Sequence, residues 1–194
     1  MTVLLLTGGM RQAKAQALAI RTNVAGFTVM AANVGADFVL NEKHSLSGSF
    51  YQTMGESWIR KTKATGAQLS WRYWFSHEPL RGLYWGLSVG VGSYELEMDG
   101  GGMDMAFSPT ALATEKCPMK YAGTAMPMSI DIGYCFQLSR RWSLDIYAGV
   151  GPLLRWEEVT FEEEQLGTQV YIPRRSRADF HPTNAGLSLV YLIL

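Results

Sequence analysis

Over most of its length the chain alternates apolar and polar residues with a period of two, which confines it to strands having one apolar and one polar face. The clearest run is Leu83 to Tyr94: Leu83, Trp85, Leu87, Val89 and Val91 share one face, Tyr84, Gly86, Ser88, Gly90 and Gly92 the other. From Met126 to Gln137 the apolar set is Met128, Ile130, Ile132, Tyr134 and Phe136, and from Trp142 to Trp156 it is Leu144, Ile146, Ala148, Val150 and Leu154. Leu69, Trp71, Tyr73 and Phe75 form a fourth run, and Leu187, Leu189, Tyr191 and Ile193 a fifth. Weaker copies over 31–40, 45–54 and 18–25 bring the expectation to eight strands, with no helix-length amphipathic segment between them.

The connections alternate as well. Asn41 to His44, Ser76 to Arg81 and Ser139 to Arg141 read as short turns, whereas 55–65, 97–118 and 160–181 read as long polar or glycine-rich loops. Only the connection near 26–30 is short for its side. An even number of antiparallel strands with short turns at one end and long loops at the other is the layout of a bacterial outer-membrane barrel. The expected fold is therefore all-β, an eight-stranded antiparallel up-and-down transmembrane β-barrel. With 194 residues, 17 basic and 17 acidic side chains, a mean hydropathy of zero and no apolar run of helix-spanning length, the averages resemble those of an ordinary soluble domain. Balanced charge argues against nucleic acid as a partner. The zero mean, however, is what two opposite surfaces give when added together.

Size orients the two faces. An eight-stranded barrel is just wide enough to be filled by side chains, so the glycine- and serine-rich face belongs inside and the aromatic-rich face outside, against lipid. Phe38, Phe75, Trp85, Phe136, Trp142 and Tyr191 all lie near the short-turn end, where an aromatic girdle would sit at the headgroup level. Arg21, Asp37, Arg72, Asp131, Asp145 and Arg155 all share the lumen parity and are expected to form a charge network there. The opposite parity would place them in lipid, at ~2–4 kcal/mol for a midplane Arg or Lys. A soluble periplasmic barrel carrying a small ligand would show the same alternation and is the alternative of another class.

At the start, Val3 to Leu6 is a short apolar run and Ala15-Gln16-Ala17 a small-x-small cleavage site. Residues 1–17 thus read as a signal peptide whose true start lies upstream, and 18–194 as the barrel. Cys117 and Cys135 fit no metal-binding spacing. On one extended strand their separation of roughly 18 residues, at ~3.3 Å each, far exceeds the ~7 Å Cα limit of a disulfide.

Three stretches carry a resemblance: Trp71-Arg72-Tyr73-Trp74-Phe75, Trp142 to Asp145 with Ala148 to Gly151, and the ending Pro182 to Leu192, together with Ile20-Arg21-Thr22-Asn23 near the start. Over essentially the whole mature chain these resemble a family of small outer-membrane β-barrels, a domain of unknown function common in the Bacteroidota. The resemblance implies an outer-membrane location and, in some genomes, a neighbourhood with fimbrial genes; it implies no catalytic residues. The final Leu194 departs from the aromatic on which such strands usually end.

No catalytic, cofactor or metal site is expected. The three histidines fall in separate places, His44 and His77 in turns and His181 in the last loop. A lipid-modifying enzyme at the barrel rim, using His181 with Glu157 or Glu158, is the runner-up function. Asp99 to Asp104 is rich in carboxylates and glycine but matches no calcium loop spacing. In the last loop Glu157, Glu158 and Glu162 to Glu164 precede Arg174, Arg175 and Arg177, which mark a possible interaction with lipid phosphate or a protein. The expected role is structural or interactive, with outer-membrane lipid and a protein of the cell envelope as partners.

Overall fold

The computed structural model describes residues 17–53, 61–99, 118–163 and 168–193. Eight strands, β1 (Leu18–Asn23), β2 (Ala31–Val39), β3 (His44–Thr53), β4 (Lys61–Trp74), β5 (Gly82–Asp99), β6 (Pro118–Gln137), β7 (Trp142–Glu163) and β8 (Thr168–Leu192), follow one another around a closed antiparallel barrel. A short 3-10 helix, Val24–Val29, joins β1 to β2. Among the described residues no helix is long and apolar enough to cross a membrane.

The three turns at one end are short because local side chains close them. Asn41 Oδ1 accepts from the amides of Lys43 and His44 at 2.9 and 3.0 Å. Ser139 Oγ accepts from the Trp142 amide at 3.2 Å. Such side-chain closures fix where each hairpin reverses, and hence the register of the strands above it.

Strand length rises along the chain without exception: 6, 9, 10, 14, 18, 20, 22 and 25 residues from β1 to β8. With the turns level at the base, the rim climbs around the barrel. The tallest strand then stands next to the shortest, and β8 pairs with β1 only between Ser188 and Leu192. On its other side β8 pairs with β7 from Thr168 to Tyr191.

The interior and exterior are inverted relative to a protein folded around an oily core. Among the described residues twelve polar or charged side chains are buried against eight hydrophobic ones, while twenty-four large hydrophobic side chains are exposed. Ile130, Ile132, Phe136, Val91, Val34 and Phe75 are all on the outside. On β5 the outward apolar run ends at Val91, and Ser93 and Glu95 continue that face. The run from Leu83 to Val91 measures roughly 26 Å along the strand, or roughly 20 Å along the barrel axis at a tilt of ~40°.

Two connections differ from the sequence-based expectation. Of residues 160–181, expected as a loop, 160–163 belong to β7 and 168–181 to β8, and the two strands stay paired up to Glu163↔Thr168. The expected loop 55–65 is shortened because β4 begins at Lys61; the expected loop 97–118 agrees with a β5 that ends at Asp99 and a β6 that begins at Pro118, ahead of the alternation visible from Met126. Above the apolar band both faces of a strand meet the same surroundings; residues 173–178 are all exposed. Nothing there requires alternation, so extended strand and polar loop look alike in sequence.

Candidate functional site

The lumen holds the chemistry. Lowest, next to the turns, Trp74 and Tyr84 pack with Ala19, Val39, Leu80, Cys135 and Val190 in a small hydrophobic base. Trp74 Nε1 donates to Ser45 Oγ at 2.9 Å, and its ring lies 4.6 Å from that of Tyr84. Gly133 makes this possible, since a Cβ there would stand 2.5 Å from the Tyr84 ring.

On this base rests a four-charge layer drawn from four strands. Arg21 of β1 donates through Nε to Asp37 Oδ2 of β2 at 3.0 Å and through Nη2 to Asp145 Oδ2 of β7 at 2.6 Å. Arg72 of β4 donates to Asp37 Oδ1 at 3.3 Å and approaches Asp145 Oδ2 to 3.9 Å. Tyr84 OH donates to Asp145 Oδ1 at 3.0 Å, and the Arg72 guanidinium lies 5.1 Å above the Tyr84 ring. Two cations and two anions, all nearly inaccessible, neutralise one another. Charges taken so completely out of water require such mutual pairing, because desolvation otherwise costs several kcal/mol per ion.

Asp131 forms a separate layer above. It accepts from Ser88 and from Asn184 Nδ2, the latter at 3.0 Å. Its carboxylate occupies the space left by Gly149, where a Cβ would collide with it. A polar cavity of about 240 Å³ opens over the charged layer, lined by Arg21, Arg72, Asn23, Asn33, Gln68 and Tyr147 among others, enough for roughly eight waters. A second of similar size is bordered by Tyr51, Tyr94, Pro127 and His181. The lumen is thus filled by side chains at its base and becomes roomier toward the rim.

Near the rim Arg155 bridges two carboxylates, Asp179 and, at 3.5 Å, Glu157. Tyr94 OH donates to Glu157 Oε2 at 2.6 Å. Burial, followed by that carboxylate, raises the Tyr94 phenol pKa above its ordinary value, so it remains a donor.

The six lumen-parity charges therefore fall at three levels: Arg21, Asp37, Arg72 and Asp145 together, Asp131 apart, and Arg155 at the rim. On the outside Phe38, Phe75, Phe136 and Trp142 are exposed near the turns, with Trp85 and Tyr191 half-buried at the same end. These rings pair with neighbours: Trp71 with Trp85 at 5.3 Å, Tyr134 with Phe136 at 4.4 Å, and Trp142 with Tyr191 at 4.8 Å. Arg174, Arg175 and Arg177 are exposed on β8, where Arg175 lies opposite Glu157 and Arg177 opposite Arg155.

Sequence reasoning overlooked two features. Trp74 has lumen parity, one residue out of step with the outward Tyr73 and Phe75, and that parity was the available signal. It qualifies the expectation that small residues fill the lumen and aromatics face outward, since a Trp and a Tyr are among its largest fully buried side chains. His44 begins β3 and stacks on Trp71 at 5.2 Å, and Lys43 Nζ lies 5.8 Å above the Tyr73 ring. Arg141 donates to Tyr191 OH at 3.1 Å, so basic turn residues adjoin the aromatic belt.

His181 lies in β8, with Nδ1 2.8 Å from the Pro182 carbonyl oxygen. Among the described residues no hydrogen bond joins it to Glu157 or Glu158, and no group of three His, Cys, Asp or Glu side chains is placed to hold a metal. Cys135 is buried in the lumen base. Residues 1–16, Gly100 to Asp104, Cys117 and Glu164 lie outside the described residues, as do the side chains of Asp99, Glu162 and Glu163.

No curated protein and no solved structure matches the chain. A family model does, over residues 1–193: the chain belongs to the family described as proteins of unknown function, DUF3575.

Proposed function

We propose that the chain is an integral β-barrel of the bacterial outer membrane with a side-chain-filled lumen, serving a structural or interaction role, as an accessory of a surface or fimbrial assembly. The observation that carries this reading is the inversion of polarity around a closed wall: paired charges and serines inside, and exposed Ile130, Ile132, Leu87, Val89, Leu69 and Ile146 outside. Exposed apolar surface of this extent on a water-soluble chain is an aggregation liability, whereas a closed barrel is one of two backbone arrangements that lipid tolerates. The height of the apolar run approaches the ~25 Å band of such barrels. Aromatic rings and the basic groups Lys43 and Arg141 at its lower edge suit the headgroup region.

The four-charge layer and the Trp74–Tyr84 base argue against a diffusion channel, since aqueous pores belong to barrels of 16 or more strands. What the barrel offers instead is a rigid mount for the tall β5–β8 side of its rim.

Membrane fractionation tests the location. The chain should stay with outer membranes through carbonate washing, require detergent for release, and migrate faster on gels unheated than boiled. Release by carbonate alone would overturn the reading in favour of a soluble barrel.

A further inference from the structure

The climbing rim leaves one strand unpaired on one side, and from this we infer that β8 is a docking edge for an acidic, extended segment of another protein, which adds to the sheet as a ninth strand. β8 pairs with β1 only from Ser188 to Leu192, and the Leu187 amide reaches the Asn23 side chain at 3.3 Å. Among the described residues no strand pairs with that side of β8 from residue 168 to 187. An edge of this kind offers alternate backbone N–H and C=O groups, the template used in β-strand addition.

Two features narrow the segment and the occupant. Pro173 and Pro182 lack the amide hydrogen that a partner strand requires, and they bracket residues 174–181, an uninterrupted run of eight. The run is exposed apart from the half-buried Asp179 and His181, and it carries Phe180, at 74% the most exposed of the large hydrophobic side chains. Its charge is lopsided: Arg174 and Arg175 lead it and Arg177 follows, against Asp179 alone. Like charges facing one another across a ladder destabilise it and opposite charges stabilise it. A second copy pairing antiparallel about Ser176 would set Arg175 against Arg177, whereas carboxylates on an incoming strand meet complementary charge. The arginine end of the run pairs with Arg155 to Glu157 of β7, beyond the apolar Leu154, which pairs with Ala178.

The test uses the full chain in detergent micelles and a fluorescent octapeptide alternating Val and Glu. We expect saturable binding, at least tenfold tighter than that of the Val–Lys counterpart and weakened about tenfold by the double reversal Arg174→Glu/Arg175→Glu. A Val–Glu peptide N-methylated at alternate residues keeps its charge but loses its backbone donors, and its binding should vanish. Equal binding of the N-methylated peptide would reduce the contact to charge attraction and overturn strand addition; failure of the unmodified peptide to bind would do the same. Efficient disulfide pairing between two Ser176→Cys copies would also overturn it, in favour of self-association.

Discussion

The lower and upper halves of the lumen are built by the same strands under different constraints. Below, every charge is matched: Arg21 and Arg72 face Asp37 and Asp145, the set rests on Trp74 and Tyr84, and accessibility is close to nil. Above, cavities open, Arg155 shares itself between two carboxylates of which Asp179 is one-third exposed, and the wall drops away beside β8. The difference teaches that burial, rather than the mere presence of ion pairs, decides what a charge contributes. At the base the carboxylates of Asp37 and Asp145 are fully inaccessible and depend on the side chains around them, while at the rim Asp179 can turn to water when Arg155 is removed.

That contrast can be broken first at its strongest point. Asp145→Ala removes the carboxylate shared by Arg21, Arg72 and Tyr84 and should destabilise the barrel by about 3–5 kcal/mol, the loss typical of a buried pair deprived of one partner. Urea unfolding in micelles, followed by tryptophan fluorescence, measures it; a change below about 1 kcal/mol would mean that water reaches the base. The wall is tested next. Ile132→Lys, near the middle of the apolar run on β6, should cost about 2–4 kcal/mol in a bilayer. In a barrel surrounded by water the same change would be neutral, so refolding into vesicles reads the environment directly.

Smaller effects sharpen the comparison. Tyr84→Phe deletes one hydrogen bond to a buried carboxylate while keeping the ring, with an expected loss of about 1.5–3 kcal/mol in the same unfolding assay. At the rim, Arg155→Ala should lose about 1–2 kcal/mol, less than at the base because Asp179 is one-third exposed and the buried Glu157 keeps Tyr94 as a donor. Equal losses for Arg155→Ala and Asp145→Ala would erase the distinction between the halves.

The strands were legible where each has a wet and a dry side. Leu83 to Val91 and Ile130 to Phe136 alternate because one residue faces the outside of the wall and the next a polar lumen, and their parity placed Arg21, Asp37, Arg72, Asp131, Asp145 and Arg155 inward. Residues 160–181 were illegible because above the band the two faces do not differ. Trp74 was obscured by its place among three outward aromatics: composition favoured the outside and parity the inside. The pairing of Arg21 with Asp145, strands 1 and 7, lies beyond reading, since parity gives the side of the wall and says nothing about what stands across the barrel.

By itself the sequence determined the class of fold, the order of strands and turns, and the inward or outward sense of most side chains, because period-two polarity is a local record of two unlike environments. Only the tertiary structure decided which charges meet, how Asp131 is held apart from the four-charge layer, and that β8 rises alone beside β1. Those outcomes depend on closure: register accumulated over eight strands brings the shortest beside the tallest and sets distant residues face to face, and no single strand carries that information.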